Sequence, residues 1–365
     1  MNQPLPSTMQ PLIDRLLAFL TQDGCTDAEF DNLAAALFEM QYLCSEPYRR
    51  FCQRRGATPR RVTGWRQVPP VPISAFKDVT LSCIPPIDCE RVFMTSGTSR
   101  GEVKGRNHHP TIAVWDLSMR RHFEQRFMQG SGPLPMLLLF PGEDQLPNSS
   151  LARYLSLAAR CYGTSDSRSY IGPQGLDVVG LRAALDRAVA QAQPVALLGA
   201  SFSVVHLLEA LHEQGVRYVL PEGSRILDTG GYKGLARELP LDALYDGLAE
   251  TLGVPRRRAV NMYGMTELSS QFYDAGNQTV PSVKHAPHWV RSRVLDPLSG
   301  QELPRGDRGV LAHCDLANFN SAIAILTEDV GVAVGDGFLL LGRAEGAEAK
   351  GCSLAVQEFL QATRP

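Results

Sequence analysis

Between the apolar Val92-Phe93-Met94 and Gly105 runs Thr95-Ser96-Gly97-Thr98-Ser99-Arg100-Gly101-Glu102-Val103-Lys104, a stretch of hydroxyls and glycines with a lysine near its end. These residue types suit an anion. Glycine lets the backbone approach closely, hydroxyls and N–H groups donate, and Lys104 offsets charge. The stretch is not a Walker A loop, because no Gly-Lys-Ser/Thr closes it. Two other readings compete with a phosphate loop. One is an exposed turn of small polar residues. The other is a nucleophile elbow, since Gly97-Thr98-Ser99-Arg100-Gly101 fits Gly-x-Ser-x-Gly and would make Ser99 the nucleophile of a hydrolase. An elbow needs a helix straight after its serine, and 102–110, with Gly105 and the adjacent His108-His109, has little apolar periodicity. A second chemical stretch is Asn261-Met262-Tyr263-Gly264-Met265-Thr266-Glu267, which puts an aromatic face, a hydroxyl and a hard carboxylate within five residues.

Of the eight cysteines (Cys25, Cys44, Cys52, Cys83, Cys89, Cys161, Cys314, Cys352), none forms a Cys-x-x-Cys pair or a zinc-like Cys/His spacing. Reduced thiols are expected, with Cys352 the one suspected of chemistry; a thiolate is the reactive form, and Lys350 or a nearby helix start is expected to lower its pKa. No metal is assigned to His108, His109 or His285.

These residues need a scaffold, and 365 residues can bury a large core. With 36 basic and 38 acidic residues the chain has none of the positive excess of an electrostatic nucleic-acid binder. No apolar run approaches the roughly 18 to 20 residues that span a bilayer. The opening Met1-Asn2-Gln3-Pro4 has no basic stretch leading an apolar one, so the expected location is the cytoplasm.

Residues 8–55 carry apolar positions at helical spacing, with Thr26-Asp27 as a cap. A proline-rich passage through Pro69-Pro70, Pro72 and Pro85-Pro86 follows, too interrupted for long helices and expected to thread over the surface. Short apolar strands then alternate with helices: Met136 to Phe140, helix Leu181 to Gln191, Val195 to Gly199, helix Val204 to Glu213, Tyr218 to Leu220, and Arg225 to Asp228 before a glycine turn. This pattern predicts an α/β sheet whose ligand loops follow the strands. Past about 285, strands broken by glycine and proline predict a β-rich subdomain.

A Thr-Ser-Gly-Thr loop followed far downstream by Tyr-Gly-x-Thr-Glu resembles the adenylate-forming superfamily. Within it the chain most resembles the acyl-protein synthetases of the LuxE type. The shared wording covers most of residues 90–355: Gly199-Ala200-Ser201-Phe202, Asp228-Thr229-Gly230-Gly231-Tyr232-Lys233-Gly234, the extension Leu268-Ser269-Ser270-Gln271-Phe272-Tyr273-Asp274, and Gly351-Cys352-Ser353. The resemblance implies ATP and Mg²⁺ as cofactors. Thr95, Ser96, Gly97, Thr98, Ser99 and Lys104 would cradle phosphate; Gly230, Gly231, Tyr263, Gly264 and Met265 would meet the nucleotide; Thr266 would touch the α-phosphate and Glu267 would hold magnesium. Thr327-Glu328-Asp329 occupies the place of the superfamily's Thr-Gly-Asp, so Asp329 would take the ribose hydroxyls, and Arg343 of Gly342-Arg343 would sit near ribose and phosphate.

Three departures stand out. Arg100 is an apparent insertion, Val103 replaces the usual proline before the lysine, and the sequence stops soon after Arg343, where full-length relatives add a mobile domain with a catalytic lysine. Glu345 falls at their hinge acid. Lys233 is therefore expected to serve as a cation in adenylation.

The expected fold is the α/β N-terminal-domain fold of adenylate-forming enzymes, in layered sheets, with a β-rich subdomain and no full lysine domain. The expected divisions are 1–90 (helical entry and proline-rich), 91–284 (adenylation core), 285–341 (β-rich) and 342–365 (remnant with Cys352). Gly199, Ala200, Ser201, Phe202 and Tyr232 are expected to line an acyl pocket. The expected reaction converts a carboxylic acid, as a class fatty, to acyl-AMP and passes the acyl group to Cys352 for a partner acyl reductase. Coenzyme A or an acyl-carrier protein is the alternative acceptor. Outside ligase chemistry there remain a Ser99 hydrolase and a weak subunit that only binds an acyl group or nucleotide.

Overall fold

The computed structural model describes residues 9–96, 103–172, 174–230 and 239–363. Contacts divide the chain into two units, Met1–Arg121 with Met265–Gln271 and His285–Pro365, and His122–Gly264 with Phe272–Lys284.

The second unit is built on a parallel sheet. Met136–Leu139 pairs on one side with Arg168–Ser169 and on the other with Ala196–Ala200; Arg225–Thr229 and Ala259–Tyr263 continue it, and Phe272–Tyr273 closes it antiparallel. The strands are apolar at successive residues because helices cover both faces of a parallel sheet. Helix Ser150–Tyr162 is capped by Ser149, whose Oγ accepts from Ala152 N at 3.2 Å, and Val178–Ala190 by Asp177, which accepts from Gly180 N at 2.9 Å. Leu137, Leu139, Leu181, Leu185, Leu197, Val205 and Leu244 fill the core between sheet and helices. Each such side chain contributes about 1.5 to 3 kcal/mol on burial. Gly199 has no side chain for a packing reason: a Cβ there would lie 2.6 Å from Leu139 Cβ on the neighbouring strand. The expected strand at Tyr218–Leu220 is irregular chain instead, held by Tyr218 N and Leu220 N donating to Thr251 O and Leu252 O at the end of helix Leu241–Leu252.

In the first unit the entry region forms helices Gln10–Leu20, Asp27–Cys44 and Glu46–Arg54. Thr26 and Glu29 cap the second of these reciprocally. An antiparallel meander follows Val290–Leu295, Arg308–Asp315, Ala324–Val334 and Gly337–Arg343. Against expectation the proline-rich passage does not run over the surface. Val68, Val71, Phe76 and Leu81 are buried, and Val71–Pro72 pairs in parallel with Ile325–Leu326. The prolines rule out helix, while the apolar residues between them still seek the core. Helix Gly346–Thr363 lies on Glu46–Arg54, where the Phe51 and Phe359 rings are 4.8 Å apart. Gln41, fully buried, ties helix Asp27–Cys44 to the 318–323 turn: its Nε2 donates to Asn318 O and Phe319 O, and its Oε1 accepts from Ile323 N.

Candidate active site

The chain crosses between the units inside the Tyr-Gly-Met-Thr-Glu segment, so Tyr263-Gly264 belongs to one and Met265-Thr266-Glu267 to the other.

In the first unit, Arg91–Met94 and Arg106–His109 form a hairpin, and Thr95 and Gly105 clasp its mouth: Thr95 N donates to Gly105 O, and Gly105 N to Thr95 Oγ1, both at 3.0 Å. Among the described residues, 103–105 are irregular and Arg106–His109 is a strand, so no helix follows there as a hydrolase elbow needs. Gly97, Thr98 and Ser99 lie outside the described residues; Lys104 is exposed at the edge of the loop. Glu267 is brought to the hairpin mouth. A Cβ on Gly105 would sit 3.3 Å from Glu267 Oε1 and 3.2 Å from Thr95 Cγ2, so only glycine leaves the carboxylate its place.

The backbone that presents Thr266 and Glu267 is held by residues that sequence reasoning missed. Asn107 Nδ2 donates to Thr266 O at 3.0 Å, and Asn318 Nδ2 to Glu267 O at 2.9 Å. Buried Asp315 accepts from Ser269 N at 2.9 Å, Ser270 N at 2.8 Å, and Ser270 Oγ at 2.8 Å. The available signal was polar Asp315, Asn318 and Asn320 set among apolar neighbours, a density of amide and carboxylate side chains that a buried strand end admits only for hydrogen bonding.

Glu267 is 6% exposed, and burial pushes its carboxyl up to about 7; the Glu328 charge adds to this, while Arg343 and Lys77 oppose it. Among the described residues no ion pair closes on it, and no three His, Cys, Asp or Glu gather as a metal cage. Magnesium is ordinarily held by one or two carboxylates together with substrate phosphates, so a single buried glutamate beside a hydroxyl-rich hairpin fits it. Asp329 and Arg343 face each other across the strand pair: Arg343 Nη1 donates to Asp329 Oδ1 at 3.2 Å and Nη2 to Glu328 Oε2 at 2.9 Å.

Cys352 is inside helix Gly346–Thr363 and buried, its thiol facing Thr327 O at 3.9 Å. Burial first, then the Glu328 charge, push the thiol up to about 11; Arg343 opposes this and Glu348 adds to it. The expected lowering by Lys350 or a helix start does not occur: Cys352 is seventh in its helix, past the first turn, and desolvation with two carboxylates sets the direction. Cys352 is one of the residues that line a cavity of about 420 Å³.

In the second unit, Gly230 follows its strand with φ of +75°, a turn that requires glycine, and is exposed. Beneath it is a buried polar network. Ser201 Oγ donates to Asp228 Oδ2 at 2.8 Å, Tyr245 OH to Asp228 Oδ1 at 2.9 Å, and Asn261 Nδ2 to Asp228 Oδ2 at 2.9 Å. Lys284 Nζ continues it to Asn261 Oδ1 at 2.6 Å and Asp274 Oδ2 at 2.8 Å. Ser201 is thus committed to the network, Ala200 is buried, and Phe202 is partly exposed on the first turn of its helix. Tyr263 is buried with its ring 5.6 Å from Phe272, and Gly264 is exposed. Gly231, Tyr232 and Lys233 lie outside the described residues.

An α/β unit with glycine turns at its strand ends, joined in sequence to a hydroxyl-rich hairpin and a buried glutamate, is the plan of the adenylate-forming ligases. Solved structures bear this out at the level of fold. A 2-hydroxyisobutyryl-CoA ligase bound to its acyl adenylate superposes with a TM-score of 0.65 at 16% identity, over 88% of this chain and 69% of that one. ATP-bound MatB of Rhodopseudomonas palustris gives 0.51 at 17%, over 71% and 49%. The acyl-protein synthetase family model, LuxE, matches residues 26–361, and the chain belongs to that family of AMP-forming ligases. It is 23% identical over 342 residues to the long-chain-fatty-acid–luciferin-component ligase of Vibrio harveyi, covering 91% of this chain and 88% of that one. The counterpart from Aliivibrio fischeri is also 23% identical, over 344 residues. No helix among the described residues is long and apolar enough to cross a membrane.

Proposed function

We propose that the chain activates a long-chain fatty acid with ATP and passes the acyl group to its own Cys352, from which a partner acyl reductase collects it. The observation that carries this reading is the placement, in one unit, of buried Glu267 at the hairpin mouth, the Asp329–Arg343 pair in strand register, and a cysteine lining a cavity. The names of the relatives support the acid class.

Thr95, Ser96, Gly97, Thr98, Ser99 and Lys104 bind the β- and γ-phosphates, and Thr266 donates to the α-phosphate. Tyr263, Gly264, Met265, Gly230 and Gly231 bound the adenine, and Asp329 accepts from the ribose while Arg343 holds its second side. Glu267 holds Mg²⁺, which when bound neutralises phosphate charge. The fatty carboxylate attacks the α-phosphorus and pyrophosphate leaves, with Lys233 as the cation that faces the attacking carboxylate. Gly199, Ala200, Phe202 and Tyr232 border the acyl chain; Ser201 supports them through Asp228. The Cys352 sulfur then displaces AMP from the acyl carbon.

A second acceptor, the pantetheine thiol of coenzyme A or a carrier protein, is favoured by one observation: the burial of Cys352 and its raised pKa. ATP–pyrophosphate exchange over acids of graded chain length tests the activation step. Exchange with long-chain acids is expected, and its absence with every acid would leave only a binding subunit.

A further inference from the structure

Two reactive groups from different elements share the Cys352 cavity. Cys352 comes from helix Gly346–Thr363 and Glu328 from strand Ala324–Val334, and Ala344, Ala349 and Val356 share the lining with the neutral polar Ser74, Ser353 and Gln357, none of which can take up a thiol proton near neutral pH. Arg343 Nη2 holds Glu328 Oε2 at 2.9 Å, and among the described residues no donor bonds Oε1. The thiol has only the long 3.9 Å contact to Thr327 O.

A thiol at about 11 is ionised at neutral pH in on the order of one molecule in ten thousand, too few for an unaided nucleophile. A carboxylate alongside raises that pKa further in the resting state, yet it is the carboxylate that lines the same cavity and can take a proton there. The remaining charges around the helix do not serve. Arg343 and the exposed Lys350 are cations, the exposed Glu345 is not part of the cavity lining, Glu348 is paired with Arg308, and on Glu46–Arg54, Arg55 is paired with Glu358 and Arg50 with Glu46.

We propose that Glu328 is the general base that takes the Cys352 proton during acylation. The inference rests on the reading of Cys352 as acceptor. The S–H bond breaks and its proton passes to Glu328. The freed sulfur electron pair forms the C–S bond to the carbonyl carbon of the acyl adenylate, and the C–O bond to phosphate breaks with its electrons leaving on AMP. Glu328 then returns its proton to solvent. Arg343 keeps the second carboxylate oxygen fixed throughout, which orients the first toward the cavity.

The test supplies synthetic hexadecanoyl adenylate directly to the full-length protein, so that the ATP half-reaction is bypassed. Acylation is followed by rapid quench and intact mass, and the pH profile of Cys352 alkylation by iodoacetamide is recorded alongside. Glu328→Gln keeps the hydrogen bond with Arg343 while removing the base and its charge. The expected result is acylation slowed on the order of 100-fold although the alkylation pKa falls. Glu328→Ala should be equally slow and regain rate with added acetate, a small carboxylate that can occupy the vacated space. A merely electrostatic role predicts the opposite sign: with a more acidic thiol, acylation at or above the wild-type rate in both variants, which overturns the proposal; a merely structural role through Arg343 predicts a slow Glu328→Ala that acetate does not restore and a Glu328→Gln near the wild-type rate, which overturns it equally. Acyl uptake by Cys352→Ser at the wild-type rate would instead overturn the acceptor reading, whatever the Glu328 variants do.

Discussion

Glu267→Gln separates the cost of the site from its use. The wild-type carboxyl rises from 4.5 to about 7 on burial, which at about 1.4 kcal/mol per pKa unit amounts to roughly 3 kcal/mol. The sign follows from proton uptake. Between those two pKa values the folded protein keeps a proton that the unfolded chain has released, so stability falls as pH rises through this window and the loss is complete above about 7. Glutamine, of the same shape and uncharged, does not pay this cost. Urea unfolding in magnesium-free buffer should therefore show the variant more stable by about 2 to 3 kcal/mol at pH 8, with the difference vanishing near pH 4.5. All other buried carboxyls, Asp315 and Asp228 among them, are common to both proteins and cancel. The same variant should lose ATP–pyrophosphate exchange by 100-fold or more and gain less stability from Mg-ATP than wild type. A pH-independent difference, or a variant less stable at pH 8, would refute the argument that burial of this carboxylate is a cost carried for function.

Four further outcomes follow from the geometry. Gly105→Ala puts a Cβ 3.2 Å from Thr95 Cγ2 and 3.3 Å from Glu267 Oε1, so exchange activity should fall at least tenfold with a loss of only about 1 kcal/mol in denaturant unfolding. Lys284→Met leaves Asp274 buried without its cation and should cost about 3 to 5 kcal/mol, much of it regained in a Lys284→Met, Asp274→Asn double variant followed by thermal unfolding. Arg343→Lys keeps the charge but loses the fork that spans Glu328 and Asp329, and should raise the KM for ATP several-fold in exchange assays. Cys352 alkylation should be slow at pH 7.5 and climb toward pH 11, with Cys44 reacting first at neutral pH, because a hydrogen bond from Cys83 lowers Cys44 to about 6.

The parallel sheet was legible because buried strands such as Met136–Leu139 read as unbroken apolar runs bounded by turn residues. The β-rich meander was legible for the same reason. The proline-rich passage was misread because proline excludes helix without excluding burial, and partner strand Ile325–Leu326 is some 250 residues away in sequence, beyond any local signal. Glu267, Asp329 and Arg343 were legible as motif words, yet their pairing was not. Only the register of two strands sets Arg343 opposite Asp329. The acidity of Cys352 was predicted with the wrong sign because Lys350 is adjacent in sequence, whereas Glu328 and the burial that decide the matter arrive through tertiary packing. Asn107, Asn318 and Asp315 act on backbone groups of Thr266 to Ser270, a role no residue type announces on its own.

The most direct test of the central claim is intact-mass spectrometry of the protein after incubation with ATP, Mg²⁺ and a long-chain fatty acid, for wild type and Cys352→Ser. The account predicts one acyl increment on wild type, released by neutral hydroxylamine as a thioester, and none on the variant, with pyrophosphate exchange retained in both. An equal acyl increment on Cys352→Ser, or exchange in wild type with no acyl mass at all, would contradict it.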